Sequence, residues 1–250
     1  MKQTKHRGTS PSSIAAMFSR IAPRYDLLNT LLSWGRDEYW RQRAIDELSP
    51  APGELLLDLC CGTAEMSLKA TERGSPPGMV VGVDISRPML RIARRKIEKR
   101  QGAISLLQGE TTALPFADGT VDRVMVGFGL RNITRLPETL REVNRVLKTG
   151  GKLMVLEFSS PKPWLRGMYF LYLRAWAPLL AFFLSSDHRA YSYLCASIKR
   201  FGRAELLQQM EQTGFAAEKV LPLSWGIVTI YLCRKTSHPQ SQNAGMPGTG

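Results

Sequence analysis

The sequence predicts a doubly wound α/β fold, in which helices cover both faces of a mainly parallel sheet. Short runs rich in Val, Leu and Ile alternate along the chain with amphipathic segments that carry apolar residues at helical spacing. The length of 250 residues is enough for one sizeable core, and 44% hydrophobic and 22% charged residues are typical of an ordinary globular protein. Strands buried on both faces that alternate with helices form such a sheet.

The strand candidates follow one another in the first two thirds of the chain. They are ELLLDL, MVVGVD, ISLLQG, VDRVMVGF and KLMVLEF. The segments between them end in basic residues or glycine, as helix C-termini often do. These segments are EMSLKATERG, RPMLRIARRKIEKR and LPETLREVNRVLKTGG. After Phe158 an aromatic-rich segment interrupts the alternation, and GRAELLQQMEQTGF, AAEKVLPL and GIVTIYLC predict a last helix and a closing β-hairpin.

We expect a single domain over residues 14–235. Its parts, in chain order, are N-terminal helices (14–50), a cofactor-binding core (51–160), a helical lid over the substrate (161–200) and the last helix with the hairpin (201–235). Residues 1–13 are basic and polar and lack the apolar region of a secretory signal. Residues 236–250 are rich in Gly, Pro, Ser and Gln and show no periodicity. Both ends are therefore predicted to be disordered.

Loops at the carboxyl ends of these strands are expected to surround one crevice, because open α/β sheets bind ligands where the strand order reverses. In the first loop, Gly62 lets the backbone approach a ligand, and the helix that follows presents free N–H groups. Asp84 ends the next strand roughly 20 residues further on, a spacing at which a carboxylate commonly binds ribose hydroxyls. The sequence therefore predicts a nucleoside-bearing cofactor. A dinucleotide is disfavoured, because Cys60 and Ala64 occupy two glycine positions of its fingerprint.

Cysteine spacing gives no sign of a metal site. None of the four cysteines (Cys60, Cys61, Cys195 and Cys233) forms a C-x-x-C pair with another, so no metal is predicted. Reduced cysteines indicate an intracellular setting. Adjacent thiols cannot easily share one metal ion, and free cysteines are commonly buried. We therefore expect Cys60 and Cys61 to be packing residues beneath the first loop.

The first loop, Asp84 and the segment QGETTALPF together resemble the class I methyltransferases that use S-adenosylmethionine. Four further segments between Met17 and Leu232 look like the UbiE/MenG/COQ5 family of quinone C-methyltransferases. They are MFSRIAPRYDLLNTLLSWGRDEYWR, VMVGFGLRNIT, RVLKTGGKLMVLEFSSP and YSYLCASIKRF. The resemblance implies a Rossmann-like, seven-stranded sheet with a helical lid. It also implies methylation of a ring carbon of a polyprenylated quinol in menaquinone or ubiquinone synthesis, without separating the two substrates.

Matched residue by residue, the resemblance implies contacts with S-adenosylmethionine at seven positions. They are Asp58, Gly62, Thr63, Asp84, Glu110, Thr111 and Gly127. Gly127 replaces a usual Ser, so only its backbone could make the contact. Ala64 and Glu65 replace a usual Gly and Asp, and an Ala at positive φ strains the backbone by about 1 kcal/mol or more. These two departures motivate an alternative hypothesis, a non-catalytic scaffold protein of the quinone pathway.

The chemistry of ring methylation requires a group that stabilises a phenolate. A quinol carbon becomes nucleophilic when the neighbouring phenol, with an ordinary pKa of about 10, loses its proton. Arg131 and Asn132 follow the fourth strand, where a fixed cation and an amide could face the developing oxyanion. Arginine is a poor proton acceptor, so Arg131 is predicted to stabilise charge. The alternative is a structural ion pair between Arg131 and an acidic neighbour.

Residues from both ends of the chain are expected to close over the substrate. The predicted substrate contacts are Tyr25, Asp26, Asn29, Asp187 and Ser197. Tyr191 matches the family's pattern and is a further catalytic candidate. His188 does not match it, but imidazole titrates near neutral pH, which suits a proton acceptor. The alternatives are a surface histidine at His188 and a structural helix start at Tyr25.

The formal net charge of +13 favours an anionic partner, either a nucleic acid or a membrane. RNA methylation is the weaker alternative, because the chain lacks an appended RNA-binding module and a basic strand with interleaved aromatics. The segment PWLRGMYFLYLRAWAPLLAFFLSS is interrupted by Arg166, Arg174 and Pro178 and is not expected to span a bilayer.

Aromatic residues of this segment lie beside arginines, as at a membrane interface, with a plain core helix pair as the alternative. They are Trp164, Tyr169, Phe170, Tyr172 and Trp176. We therefore predict a cytoplasmic protein that contacts the inner face of the membrane peripherally and takes a polyprenyl quinol as its partner, with no nucleic acid bound. A homodimer and a complex with other enzymes of the quinone pathway are both left open.

Overall fold

The computed structural model describes residues 11–183 and 188–236. In chain order its elements are α1 (Pro11–Ile21), α2 (Tyr25–Ser33), α3 (Arg36–Leu48), β1 (Leu55–Leu59), α4 (Glu65–Thr71), β2 (Met79–Asp84), α5 (Arg87–Arg100), β3 (Ile104–Gln108), β4 (Val121–Gly127), α6 (Leu136–Val146), β5 (Leu147–Phe158), α7 (Pro163–Phe183), α8 (His188–Arg200), α9 (Arg203–Gln212), β6 (Phe215–Leu223) and β7 (Val228–Lys235). Short 3₁₀ turns lie at Ala22–Arg24, Leu130–Asn132 and Ser224–Gly226.

The first helix begins earlier than predicted. Residues 11–13 were expected to belong to the disordered terminus, but they form the first turn of α1. Proline is favoured at the start of a helix, where no backbone N–H is needed, and Pro11 occupies that position. The rest of the two predicted disordered ends, residues 1–10 and 237–250, lies outside the described residues.

Seven strands form one sheet in the order β3-β2-β1-β4-β5-β7-β6. β1 pairs in parallel with β2 and β4, whereas β7 runs antiparallel to both β5 and β6. The predicted doubly wound, mainly parallel sheet is confirmed. Because the strand order reverses on the two sides of β1, the carboxyl ends of β1, β2 and β4 open a crevice.

Alternate residues of the central strands face opposite helical layers. Leu57 and Val124 belong to a buried cluster with residues of α6 and α9. Leu56 and Met125, one residue along each strand, belong to a second cluster with Ile45 of α3. Each fully buried Leu or Ile contributes roughly 1.5–3 kcal/mol. The two-sided burial explains why the strands read as nearly continuous apolar runs.

Helices α7 and α8 pack on each other beyond the end of β5. Tyr169 and Leu173 of α7 are buried against Ile198 of α8. Among the described helices, none combines the length and the apolar character that a bilayer crossing requires. The described part of the chain also brings no three His, Cys, Asp or Glu side chains together around a common point where a metal ion could sit.

Candidate active site

A cleft of about 1050 Å³ opens at the carboxyl ends of β1, β2 and β4. Five of the predicted cofactor residues line it, namely Gly62, Asp84, Glu110, Thr111 and Gly127. The N-terminal helices also reach this cleft, with Phe18 of α1 and Tyr25 of α2 in its wall. Asp58 and Thr63 are 1% and 2% exposed and are not part of the wall. Two of the seven predicted contacts are therefore buried away from the surface of the cleft.

The loop between β1 and α4 turns through residues with left-handed backbone angles. They are Cys60 (φ +58°), Gly62 (φ +55°) and Ala64 (φ +64°). A Cβ built on Gly62 would meet nothing within 4 Å, so this backbone borders open space. Ala64 is fully buried in a cluster with Leu68. A left-handed angle costs an alanine about 1–2 kcal/mol, so the strain expected from the sequence is present and the packed surroundings hold it.

Cys60 and Cys61 pack against glycine backbones. A Cβ at Gly129 would come within 2.7 Å of Cys60 Cβ, and one at Gly82 within 2.9 Å of Cys61 Sγ. Burial raises the pKa of both thiols well above the usual value, because it disfavours the thiolate. Both cysteines are free. The structure thus supports packing as the role of Cys61, whereas Cys60 is half-buried and also lines the cleft.

Asp84 is fixed at the carboxyl end of β2 by two backbone donors. Its Oδ2 accepts from the Gly62 N–H at 2.9 Å, and its Oδ1 accepts from the Ser86 N–H at 2.8 Å. Burial raises the pKa of this carboxyl, and the two backbone donors oppose that rise. Each oxygen keeps a further lone pair for a donor in the cleft. Asp84 therefore ties the first loop to the start of α5 and still offers an acceptor to a ligand.

Asp58 supports the first loop from below. Its Oδ2 accepts from Ser67 Oγ of α4 at 2.6 Å, whereas its Oδ1 has no hydrogen-bond partner among the described residues. Burial raises the pKa of Asp58 to about 7. The side chain therefore joins β1 to α4, and its protonation changes near neutral pH.

A chain of polar contacts connects α2 to the first loop. Thr63 Oγ1 donates to Asp26 Oδ1 at 2.6 Å, and Lys96 Nζ of α5 contacts Asp26 Oδ2 at 2.5 Å. The same ammonium group lies 2.6 Å from Glu65 Oε1. Lys96 holds the pKa of Glu65 below its ordinary value against the opposing effect of burial. Asp26, predicted to contact substrate, is thus engaged with Thr63 and Lys96.

The other cleft residues differ in how firmly they are held. Glu110 is exposed and pairs with Arg135 at 3.0 Å. Thr111 Oγ1 lies 2.7 Å from Thr139 Oγ1, which fixes it more closely. At Gly127, a Cβ would meet Met66 Cγ at 2.9 Å. Met66 therefore explains why glycine stands here in place of the usual serine.

Phe128 directly follows β4 and has a left-handed backbone with φ +56°. Its N–H donates to the Leu156 carbonyl at 2.7 Å. Its own carbonyl accepts from Arg131 Nη1 at 2.6 Å and from Asn132 Nδ2 at 3.4 Å. A bulky residue at positive φ is an outlier of the kind that clusters at active sites. Sequence reasoning missed Phe128, for which the flanking glycines were the only signal.

Arg131 forms a buried ion pair with Glu157, the last acid of β5. Arg131 Nη1 lies 2.6 Å from Glu157 Oε1, and the two side chains are 5% and 0% exposed. The Arg131 backbone N–H donates to Glu157 Oε2 at 3.1 Å. The guanidinium also lies over the Phe158 ring, 5.1 Å from its centroid. This is the acidic neighbour that the structural alternative for Arg131 required, and an acid in the apolar run KLMVLEF was its sequence signal.

Asn132 links the loop after β4 to the lid helix α8. Its Oδ1 accepts from the Tyr193 hydroxyl at 3.1 Å. Burial raises the pKa of Tyr193, so the hydroxyl stays protonated at neutral pH and remains a donor. Tyr193 was not among the predicted site residues, although it lies in one of the segments that carry the family resemblance.

Two further cavities lie beside the cleft. We name the first the junction cavity; it measures about 530 Å³, and its wall includes Tyr25, Asn29, Arg131 and Tyr193. The second, which we name the apolar cavity, measures about 1190 Å³ and lies between α2, α3, α7 and α8. Phe128 is part of the wall of the cleft and of both these cavities. This residue therefore borders both a cleft with polar loops and a largely aromatic and aliphatic cavity.

The remaining predicted substrate residues are placed differently. Tyr25 lines both the cleft and the junction cavity, and Asn29 lines the junction and apolar cavities. Asn29 Nδ2 is buried without a hydrogen-bond partner among the described residues. Ser197 is buried, and its hydroxyl donates to the Leu194 carbonyl of its own helix. Asp187 lies outside the described residues, as do the side chains of His188 and Tyr191 in the first turn of α8.

The five aromatic residues predicted for a membrane interface fall into two groups. Tyr169 is buried and Phe170 half-buried, which fits the core alternative, whereas Trp164 is exposed. Trp176 stacks on Trp34 of the loop after α2, with ring centroids 6.3 Å apart. Tyr172 accepts from Trp34 Nε1 at 2.8 Å. The outer face of α7 is thus aromatic and partly exposed.

Comparison with solved structures defines the class of protein. The [4+2]-cyclase SpnF superposes with a TM-score of 0.68 at 15% identity, covering 92% of this chain and 97% of that one. A SAM-dependent methyltransferase from Aquifex aeolicus gives a TM-score of 0.59 at 15% identity and covers 92% and 100% of the two chains. The fold is the class I fold of S-adenosylmethionine-dependent methyltransferases, as predicted. Identities this low show the fold alone.

Sequence comparison is more specific. Residues 3–235 match the model of the ubiE/COQ5 methyltransferase family. The ubiquinone/menaquinone biosynthesis C-methyltransferase UbiE of Syntrophotalea carbinolica is 45% identical over 86% of this chain and 91% of its own length. The demethylmenaquinone methyltransferase of Thermus thermophilus is 43% identical over 86% and 98%. The chain belongs to the ubiE/COQ5 methyltransferase family, which confirms the resemblance found in its sequence.

Proposed function

We propose that this protein transfers the methyl group of S-adenosylmethionine to a ring carbon of a polyprenylated quinol in menaquinone or ubiquinone synthesis. The names of its relatives support the reaction class. The observation that carries the proposal is the position of Phe128 between the cleft and an apolar cavity of about 1190 Å³. A polar cofactor and an apolar-tailed ring bound on the two sides of this residue would meet at the junction cavity.

The residues of the cleft fit S-adenosylmethionine. Gly62 borders open space, Asp84 presents a fixed carboxylate for hydroxyl donors, and Glu110 and Thr111 line the far side. When bound, S-adenosylmethionine supplies an electrophilic methyl group on a sulfonium. Ala64 is accommodated in its left-handed conformation, and Glu65 is paired with Lys96. Neither of these two differences from the family's usual residues therefore closes the cleft. An active enzyme is therefore favoured over a scaffold protein.

The junction cavity supplies groups for a quinol oxygen that loses its proton. Arg131 places a buried positive charge in its wall, and Arg131 Nε has no hydrogen-bond partner among the described residues. Tyr193 keeps its proton and orients the Asn132 amide from α8. Such fixed donors stabilise developing charge without reorganising. Apolar walls exclude water from the same space, which strengthens these interactions.

We further propose that the protein is cytoplasmic and docks on the inner face of the membrane that holds the quinone. Exposed apolar side chains surround the mouth of the apolar cavity, including Trp34, Met168 and Trp225. Arg36, Lys162 and Arg166 are exposed in the same segments. Tryptophan beside cations suits the headgroup region of an anionic bilayer. A lipid substrate would then enter without crossing water.

The test is methyl transfer from labelled S-adenosylmethionine to chemically reduced, short-tailed demethylmenaquinol and to the ubiquinone precursor, measured side by side. We expect labelled product from at least one ring, and the ratio of the two rates identifies the preferred substrate. Cofactor binding without methylation of either ring would overturn the substrate proposal. Absence of cofactor binding would favour the scaffold alternative instead.

A further inference from the structure

Arg41 of α3 is a buried arginine in the wall of the apolar cavity that the reaction outlined above does not use. Its side chain is 8% exposed, and its guanidinium carbon lies 5.2 Å from the centroid of the Phe128 ring. Arg41 Nε has no hydrogen-bond partner among the described residues. Buried charges are almost always paired and hydrogen-bonded, because an unmade bond leaves the full desolvation penalty. Arg41 is therefore a cation with donor capacity to spare in a cavity built largely of apolar side chains.

The neighbouring acids do not use up this capacity. Asp37 forms a long ion pair with Arg41: its Oδ2 lies 3.7 Å from Arg41 Nε, beyond hydrogen-bond distance, while its Oδ1 accepts from Ser33 Oγ at 2.8 Å. Burial raises the pKa of Asp58, and the charge of Arg41 opposes that rise through space. Asp58 Oδ1 is itself without a partner among the described residues, so no direct bond joins the two groups. A structural role toward Asp58 is the competing explanation.

Arg41 and Arg131 each lie over one ring of the same aromatic pair. The rings of Phe128 and Phe158 lie 4.7 Å apart between centroids. Arg41 covers the Phe128 ring, and Arg131 covers the Phe158 ring. Arg41 belongs to the apolar cavity, whereas Arg131 belongs to the junction cavity. A ligand that occupied both cavities would therefore have one guanidinium group in the wall of each cavity.

We propose that Arg41 binds the substrate's ring oxygen on the carbon next to the prenyl-bearing carbon, while Arg131 and Asn132 face the oxygen beside the methylated carbon. This inference rests on the proposed substrate class, a ring with two oxygens in para positions and an apolar tail. Arginine suits the position because it is weakly hydrated and stacks on aromatic faces. Because the tail occupies the apolar cavity, the oxygen nearest the tail is the one that meets Arg41. Arg41 is then a specificity residue for rings that carry both oxygens.

The experiment measures ring binding without turnover. Trp34, Trp40 and Trp225 line the apolar cavity, so their fluorescence reports its occupation. Two ligands are titrated anaerobically: a short-tailed demethylmenaquinol and the matching naphthol that lacks only the oxygen next to the tail-bearing carbon. In the wild-type protein we expect the quinol to bind roughly 10- to 100-fold more tightly, the range for a hydrogen bond to a charged group. Arg41→Gln should lose that preference while binding the naphthol as the wild type does.

Matched variants separate this role from a structural one. Arg43→Gln removes an exposed arginine of the same helix that pairs with Glu47 and lies outside the wall of the cavity, and it should leave both affinities unchanged. Arg41→Lys keeps the charge and should retain part of the preference. It also provides the comparison if Arg41→Gln fails to fold. Affinity for S-adenosylmethionine is measured in each variant to report an intact cleft.

The outcomes distinguish the two proposals. Equal loss of affinity for both ligands in Arg41→Gln would assign Arg41 to structure, and no loss for either would remove it from the binding site. Either result overturns the inference while methylation of quinols by the wild type stands. A wild-type protein that binds neither ligand and methylates neither ring would overturn the proposed function, and the role of Arg41 with it.

Discussion

Arg131 is held by an acid, a carbonyl and an aromatic ring at once. Its charge is shared with Glu157, and the same guanidinium fixes the carbonyl of the strained residue Phe128. Arg131 therefore has two tasks under the proposed mechanism: it contributes positive charge to the junction cavity, and it fixes the backbone of Phe128, a residue in the wall of all three cavities. A substitution at Arg131 is expected to affect turnover and stability together.

Arg131→Met should lower kcat by roughly 100-fold or more, as removal of a charge-stabilising donor typically does, with affinity for S-adenosylmethionine nearly unchanged. It should also lower the free energy of unfolding by about 3–5 kcal/mol, because Glu157 is left buried without its partner. Glu157→Gln should destabilise by a comparable amount. The double variant should lose much less free energy of unfolding than the two single variants lose in total. Additive losses in chemical denaturation would show that the pair is not coupled.

Asp84→Asn should weaken S-adenosylmethionine binding roughly 10- to 100-fold, because hydrogen bonds to a carboxylate become bonds to a neutral amide. Isothermal titration calorimetry gives the dissociation constant. Glu72→Gln, at an exposed acid paired with Arg100, is the control and should bind the cofactor normally. Unchanged affinity in Asp84→Asn would mean that the ribose is bound elsewhere.

Asp58 makes stability depend on pH. Its pKa is raised from 3.8 to about 7, so between these values the folded state keeps a proton that the unfolded state releases. The stabilisation that this bound proton gives the folded state is therefore fully present below pH 3.8, and it is lost as the pH rises toward about 7. Each unit of pKa shift corresponds to about 1.4 kcal/mol. The free energy of unfolding of Asp58→Asn, taken relative to that of the wild type, should therefore increase by up to about 4 kcal/mol from pH 4 to pH 8. Urea denaturation across this range measures the difference, and a constant difference would place the Asp58 pKa near its ordinary value.

The sequence predicts residues that belong to local motifs and misses those that depend on distant partners. Gly62 follows β1 and Asp84 ends β2 at a recognisable spacing, and both line the cleft. Glu157 and Arg41 acquire their positions only when remote elements fold together. No local pattern assigns a left-handed backbone to Phe128, because the contacts that hold it come from the loop after it and from β5.

At the scale of elements, α4 and the end of β4 fit closely. Gly127→Ser should destabilise by about 1–3 kcal/mol, the usual cost of overpacking, because its Cβ would meet Met66 Cγ at 2.9 Å. In a Met66→Ala background the same change should cost under about 1 kcal/mol. Gly167→Ser is the control, since a Cβ there meets nothing within 4 Å. Thermal unfolding measures both costs. If Gly127→Ser were equally destabilising in the two backgrounds, contact with Met66 would not be the reason for the glycine.

The order of strands and helices was predictable because alternation of apolar runs reflects two-sided burial. The residues at which each helix or strand begins and ends were harder to predict. The run LPETLREVNRVLKTGG was predicted as one helical segment, yet α6 ends at Val146 and β5 begins at Leu147. Leu147 pairs with Val121, and the ladder changes register before Arg123 pairs with Lys152. This pairing is set by β4, a separate part of the chain, so the turn residues alone could not reveal it.

At the scale of the whole molecule, the proposed membrane contact makes the exposed aromatic surface testable. Trp164 and Trp225, with ring centroids 6.2 Å apart, are both more than half exposed. The double variant Trp164→Ala/Trp225→Ala should bind anionic phosphatidylglycerol vesicles roughly tenfold or more weakly, because it loses two interfacial rings. Sedimentation with vesicles measures the binding.

Met79→Ala is the matched control for vesicle binding. Met79 is an exposed apolar residue at the amino end of β2, the opposite end of the strands from the cleft. This variant should sediment with vesicles as the wild type does. If the tryptophan double variant sedimented equally well, the surface around the apolar cavity would not be the docking face.

The position of Phe128, in the wall of all three cavities, has a kinetic consequence for the proposed enzyme. Under the proposed docking, the water-soluble reactant would enter through the cleft and the lipid reactant through the apolar cavity, so neither would have to wait for the other to arrive or depart. Initial-rate kinetics are then random in order, and the spent cofactor leaves to the aqueous phase while the methylated lipid stays behind in the bilayer. The supply of each reactant could then vary independently of the other.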